Sequence, residues 1–101
     1  MTRRNSVPIV RLYDVRSVYK WLESLGQCAE SIAEDIESGG EYFLAFSQGK
    51  PAVLGWCQSS DCTMSMNVDP VFLGDGSASM MHDFLEEKLA IAITRQSVVL
   101  V

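Results

Sequence analysis

The sequence predicts an α+β fold in three layers, with a mixed, mainly antiparallel sheet flanked by helices. Three observations lead there. Short apolar, β-prone runs alternate with segments in which apolar residues recur at helical spacing. Two turn clusters, Ser47-Gln48-Gly49-Lys50-Pro51 and Ser59-Ser60-Asp61, join three successive runs of strand length, which is the pattern of an antiparallel meander. An amphipathic helix then separates the meander from a β-branched C-terminal run, which is expected to return parallel through a right-handed crossover. The predicted order is β, α, α, β, β, β, α, β.

Taken in order, residues 1–6 form a short disordered lead and 7–101 a single domain. Val7 to Tyr13 is apolar and β-prone, hence a strand. Asp14 is placed to cap a helix, with Val15, Val18, Tyr19, Leu22 and Leu25 on its apolar side and Gly26 at its end. A second helix runs from about Cys28 to Glu37. Its apolar side is Ala29, Ile32, Ala33 and Ile36, and its acidic side is Glu30, Glu34, Asp35 and Glu37. Glu41–Phe46 and Ala52–Gln58 are strands. Pro51 belongs at the turn or at a strand start, because it has no N–H for a ladder. In Cys62–Val68, Met64, Met66 and Val68 share one face while Thr63, Ser65 and Asn67 share the other. A helix from Ser77 to about Leu89 carries the stripe Met80, Met81, Phe84, Leu85 and Leu89. Ile91–Val101 is the last strand, and its edge pairs with a second copy to give a homodimer.

The chain has 101 residues, enough for one domain. With 48% of its residues hydrophobic, it forms a core without metal or disulfides. A net charge of −5 opposes nucleic-acid binding, which needs a basic face. It is compatible with a basic protein partner or a cationic substrate instead, and it is also the commonest charge state of an ordinary soluble protein. Three cysteines (Cys28, Cys57 and Cys62) make an odd count, which does not fit a paired framework. No apolar export segment follows Met1-Thr2-Arg3-Arg4-Asn5-Ser6, and no run reaches membrane-spanning length. The expected compartment is the cytoplasm, with reduced thiols.

The segment Val68-Asp69-Pro70-Val71-Phe72-Leu73-Gly74-Asp75-Gly76-Ser77-Ala78 carries most of the chemistry. It reads as a strand end, a tight glycine turn and a helix N-terminus. Gly74 and Gly76 permit positive φ and let a ligand reach the backbone. The first N–H groups of a helix have no internal partners, and the dipole there favours an anion. A phosphate or pyrophosphate fits such a place.

These residues resemble the acetyl-CoA pyrophosphate loop of GNAT-type N-acetyltransferases, written Gln/Arg-x-x-Gly-x-Gly/Ala. On that pattern Leu73 stands at the Gln/Arg position, Gly76 at the central glycine and Ala78 at the final Gly/Ala. Asp75 stands where the family often has a basic residue. Upstream, Tyr42-Phe43-Leu44-Ala45 and Gly49-Lys50-Pro51-Ala52-Val53-Leu54-Gly55-Trp56 are similar to the family's second and third strands. The family pattern runs on for another helix and one or two strands. The resemblance implies a truncated GNAT-like scaffold binding acetyl-CoA or another acyl-CoA. The pyrophosphate would meet Leu73, Gly74, Asp75, Gly76, Ser77 and Ala78, and the pantetheine arm the backbone of Asn67 and Val68. It implies N-acetyl transfer by direct attack of an amine on the thioester. Glu41 and Asp61 are placed to act as a carboxylate base by position alone.

A different class of function stays open beside this one. A small acidic domain with a charged helix face can act without any small-molecule site, as an immunity- or inhibitor-like protein that binds a basic partner. Other residues read as structural. His82 has no sequence partner that makes a catalytic pair. Cys57 and Cys62 lack the further ligands a zinc site needs. The methionines around the glycine turn suit core filling.

Overall fold

The computed structural model of the chain describes residues 8–58 and 63–100. The expected disordered lead, Cys62 and Asp61 lie outside the described residues. Four strands, β1 (Ile9–Leu12), β2 (Tyr42–Ser47), β3 (Lys50–Gln58) and β4 (Thr63–Val68), form one antiparallel sheet in the order β1-β2-β3-β4. Two helices, α1 (Tyr19–Ser24) and α2 (Ala29–Glu37), lie in the chain between β1 and β2, and α3 (Ser77–Leu100) follows β4. The sheet thus has helices on both faces, which makes an α+β fold.

Alternation along the strands sends successive side chains to opposite faces. Leu12, Tyr42, Leu44 and Leu54 point to one face. There they join Val15, Val18, Leu22, Ala29 and Ile32 from the segment containing α1 and α2. Phe43, Ala45, Val53, Met64, Met66 and Val68 point to the other, against Phe72 and the Met81–Leu85 stretch of α3. Each central strand is therefore apolar on both sides, which is why β2 and β3 read as continuous hydrophobic runs. The two strands meet at Gln48-Gly49, with φ of 55° and 77°. These left-handed values at both turn positions match the twist of a tight hairpin. Opposite Ala45 and Phe46 the register shifts by one residue: Pro51 pairs with Phe46 and Val53 with Ala45, leaving Ala52 as the extra residue of a bulge.

Two close contacts fix the helix layers. Gly55 lies under α3. A Cβ there would fall 2.7 Å from Met81 Sδ, 2.9 Å from Met81 Cγ and 3.0 Å from Leu85 Cδ1. On the opposite face the Tyr42 hydroxyl donates to Asp35 Oδ2 at 2.7 Å, tying α2 to β2. Burial, then the neighbouring Asp35 carboxylate, pushes the Tyr42 pKa up to about 12.

The C-terminal expectation is overturned. Ile91–Leu100 is helix, continuous with α3, and the described sheet contains no parallel strand. The observed order ends β, β, β, α. The β-branched run favours a strand by composition, but it follows Leu89 with no glycine, proline or turn residue to stop the helix. Helical propagation outweighs the weak local preference. With no terminal strand to pair, the open edges of the sheet are β1 and β4. The first strand and first helix are also shorter than expected, with a single 3-10 turn at Arg16–Val18 leading into α1. Asp14 Oδ1 accepts from the Arg16 N–H at 2.9 Å, so it braces this turn.

The Gly55 contact is testable. Gly55→Ala should cost about 1–3 kcal/mol by overpacking, read by denaturant unfolding. Met81→Ala in the same chain should recover part of that loss. A fully additive double variant would show that Met81 does not set the constraint.

Candidate functional site

The end of β4 and the N-terminus of α3 are joined by two short devices, both built on aspartate. Asp69 comes first. Its Oδ1 accepts from the Val71 N–H at 3.0 Å, capping the single turn Pro70–Phe72, and Pro70 occupies a position that needs no N–H. Its Oδ2 accepts from Trp21 Nε1 at 2.9 Å, and its own N–H donates to Ala52 O at 2.8 Å. One residue thus holds β3, α1 and the turn together. The Asp-Pro pair, a capping residue before a proline, is the sequence signal that could have assigned Asp69 this role.

Asp75 is the second device. Gly74 and Gly76 flank it at φ of 85° and 95°. The α-helical ladder begins with the Met80 N–H bonded to Gly76 O at 3.1 Å. Asp75 Oδ1 accepts from the Ser77 N–H at 2.9 Å, and its Oδ2 accepts from the Ser47 hydroxyl at 2.7 Å. Hydrogen bonding from Ser77, then from Ser47, holds the Asp75 carboxyl below the usual carboxylate range. The place at which a bound phosphate was expected thus has a carboxylate of the chain itself on the first helical N–H. Asp75 is exposed and neutralised by no cation among the described residues, so a ligand phosphate here meets a like charge.

The remaining expected site residues divide. Leu73, Gly74 and Gly76 are exposed, Ala78 is half-buried and Ser77 is buried. The bond from the Asp69 N–H to Ala52 O sets the phase of the β3–β4 ladder. In an antiparallel pair, main-chain groups alternate between the two sides of a strand. The backbone of Asn67 therefore faces β3, and that of Val68 faces the open edge. Asn67 also commits its side chain, donating from Nδ2 to Leu25 O at 3.2 Å. Of the two residues expected to meet a pantetheine arm, only Val68 offers free main-chain groups.

Of the two candidate bases, Asp61 lies outside the described residues, and Glu41 forms an ion pair with Arg11 at 3.5 Å away from this site. His82 sits on α3, with Nδ1 3.8 Å from carboxylate oxygens of both Asp83 and Glu86 on the solvent side. On the acidic side of α2, Glu30, Glu34, Asp35 and Glu37 are all exposed, and Asp35 also accepts from Tyr42.

Beside the turn lies a cleft of about 430 Å³ lined by Trp21, Gln48, Lys50, Pro51, Asp69, Val71 and Phe72. No sequence pattern marked it, since its walls come from three separate elements.

The depressed Asp75 pKa has a consequence in acid. A carboxylate with a lowered folded-state pKa contributes stability that is present above its unfolded value and lost as pH falls through the folded value. At neutral pH, Asp75→Asn should therefore unfold at a lower temperature than the wild type. The gap should close as pH drops below the ordinary value of 3.8. Thermal melts across that range check this, and parallel loss of stability in both proteins would exclude the cap.

No family model, curated protein or solved structure matches this chain.

Proposed function

We propose that this chain is a GNAT-like domain whose role is to bind an acyl-CoA, with acetyl-CoA the first candidate. One observation carries the reading: a two-glycine turn stands between β4 and the N-terminus of α3, in a chain whose elements run β, α, α, β, β, β, α. The pyrophosphate would meet the N-terminal end of α3 at Ala78, since the Ser77 N–H is held by Asp75, and the pantetheine arm the open main-chain groups of Val68. Asp75 sits on that helix end as an internal anion and opposes tight binding. No described carboxylate or histidine stands at the turn as a base other than Asp75 itself, which favours binding over N-acetyl transfer. The compartment proposed is the cytoplasm. Among the described residues no helix is long and apolar enough to cross a membrane.

A second reading has its own observation. The exposed ridge of Glu30, Glu34 and Glu37 on α2 is free to meet a basic protein, as an immunity- or inhibitor-like domain would. Isothermal titration with acetyl-CoA and with CoA separates the two. The acyl-CoA reading expects saturable heat, and tightening by roughly threefold to tenfold in Asp75→Asn as the like charge is removed. No heat and no thermal shift at millimolar ligand would leave the protein-binding reading alone.

Self-association belongs to either reading, now through β4. This edge strand carries no charged residue and no proline to blunt it. Antiparallel pairing with a second copy sets Met66 opposite Met66 and keeps each face matched. Light scattering at high concentration should give a dimer mass, and a monomer mass counts against it.

A further inference from the structure

The cleft at the hairpin end of the sheet has a chemistry of its own. Its walls are the Trp21 indole from α1, Pro51 from the start of β3, and Val71 and Phe72 from the turn after β4. Its volume, about 430 Å³, lies within the span of small-molecule sites. The lining is mainly apolar, and it holds two charged groups of opposite sign.

These two groups are not equivalent. Asp69 keeps its negative charge but has both carboxylate oxygens engaged, accepting from the Val71 N–H at 3.0 Å and the Trp21 indole at 2.9 Å, so a ligand's anionic end belongs on the Lys50 rim and not beside Asp69. Those bonds also fix the indole, so the apolar wall is pre-organised, which lowers the ordering cost of binding. Lys50 is different. It is exposed on the rim, and it has no ion-pair partner among the described residues. Gln48 beside it adds an amide that accepts or donates. A cleft with a fixed aromatic wall, an apolar floor and one uncommitted cation is complementary to an apolar body that ends in an anion.

We infer that the cleft between Trp21, Pro51 and Phe72 binds a small amphipathic anion, its apolar part against the indole and Phe72 and its carboxylate or phosphate on Lys50. This site is separate from the Gly74–Ala78 turn, and it stands whether or not that turn binds CoA. The anion could be supplied by a free carboxylic acid or by a phosphate monoester, which share this chemistry.

The test uses the full chain in the Trp56→Phe background, so that Trp21 gives the single indole N–H resonance. Octanoate and octyl phosphate are titrated separately, with acetate and octylammonium as controls. One or both octyl anions should shift the Trp21 indole resonance saturably, and the stronger one names the source. Acetate, which lacks the apolar body, and octylammonium, which lacks the charge, should not. Lys50→Gln should weaken the binding about tenfold, as loss of one charge-assisted bond does, while Lys88→Gln should leave it unchanged. A flat response to both octyl anions would overturn the proposal. So would equal binding by octylammonium, or undiminished affinity in Lys50→Gln.

Discussion

Everything in this chain is arranged around the two-sided burial of the β2–β3 hairpin. Its residues alternate between two cores, so each strand is a shared wall and neither helix layer can shift alone. Leu54 is fully buried on the α1–α2 side, while Val53 is fully buried on the α3 side. Gly55 sets how closely α3 approaches, because only a missing side chain leaves space for Met81 and Leu85. Such a strand has no face on which a polar substitution is harmless. It also has no freedom to slip, since a one-residue shift would exchange the two cores.

The functional end inherits this rigidity through aspartates. Asp69 fastens the segment after β4 to α1, and Asp75 fastens the start of α3 to the hairpin turn through Ser47. Both carboxylates serve the chain first. A helix end that already carries an internal anion is a poor phosphate cradle and a good structural joint. A cleft with one carboxylate fully engaged and one lysine free has a clear polarity. The same residue type therefore closes one ligand site and shapes its neighbour.

Much of the fold was legible in the sequence, for local reasons. The strands around Gln48-Gly49, the alternation of Met64, Met66 and Val68, and the glycine turn before α3 all follow from period and turn chemistry. The end of α3 did not. Ile91, Ile93, Val98 and Val99 carry strand preference, yet a helix already nucleated on Met81 and Leu85 runs through them. The site was legible only as a position in the chain. That Asp75 would bond Ser47, 28 residues away, depends on the hairpin turn reaching the helix start. The link from Trp21 to Asp69 spans 48 residues, and no local pattern encodes it.

The strand order has a kinetic side. β2 pairs with β3 and β3 with β4, so Tyr42 to Val68 can zip up across two short connections with little loop-closure entropy. No crossover must form before the sheet does. Only β1 must wait, since α1 and α2 lie between it and its partner. A meander of this kind has low contact order and favours rapid formation of the central sheet. The aspartate joints, which connect distant segments, are then made late, on a surface that the hairpins have already built.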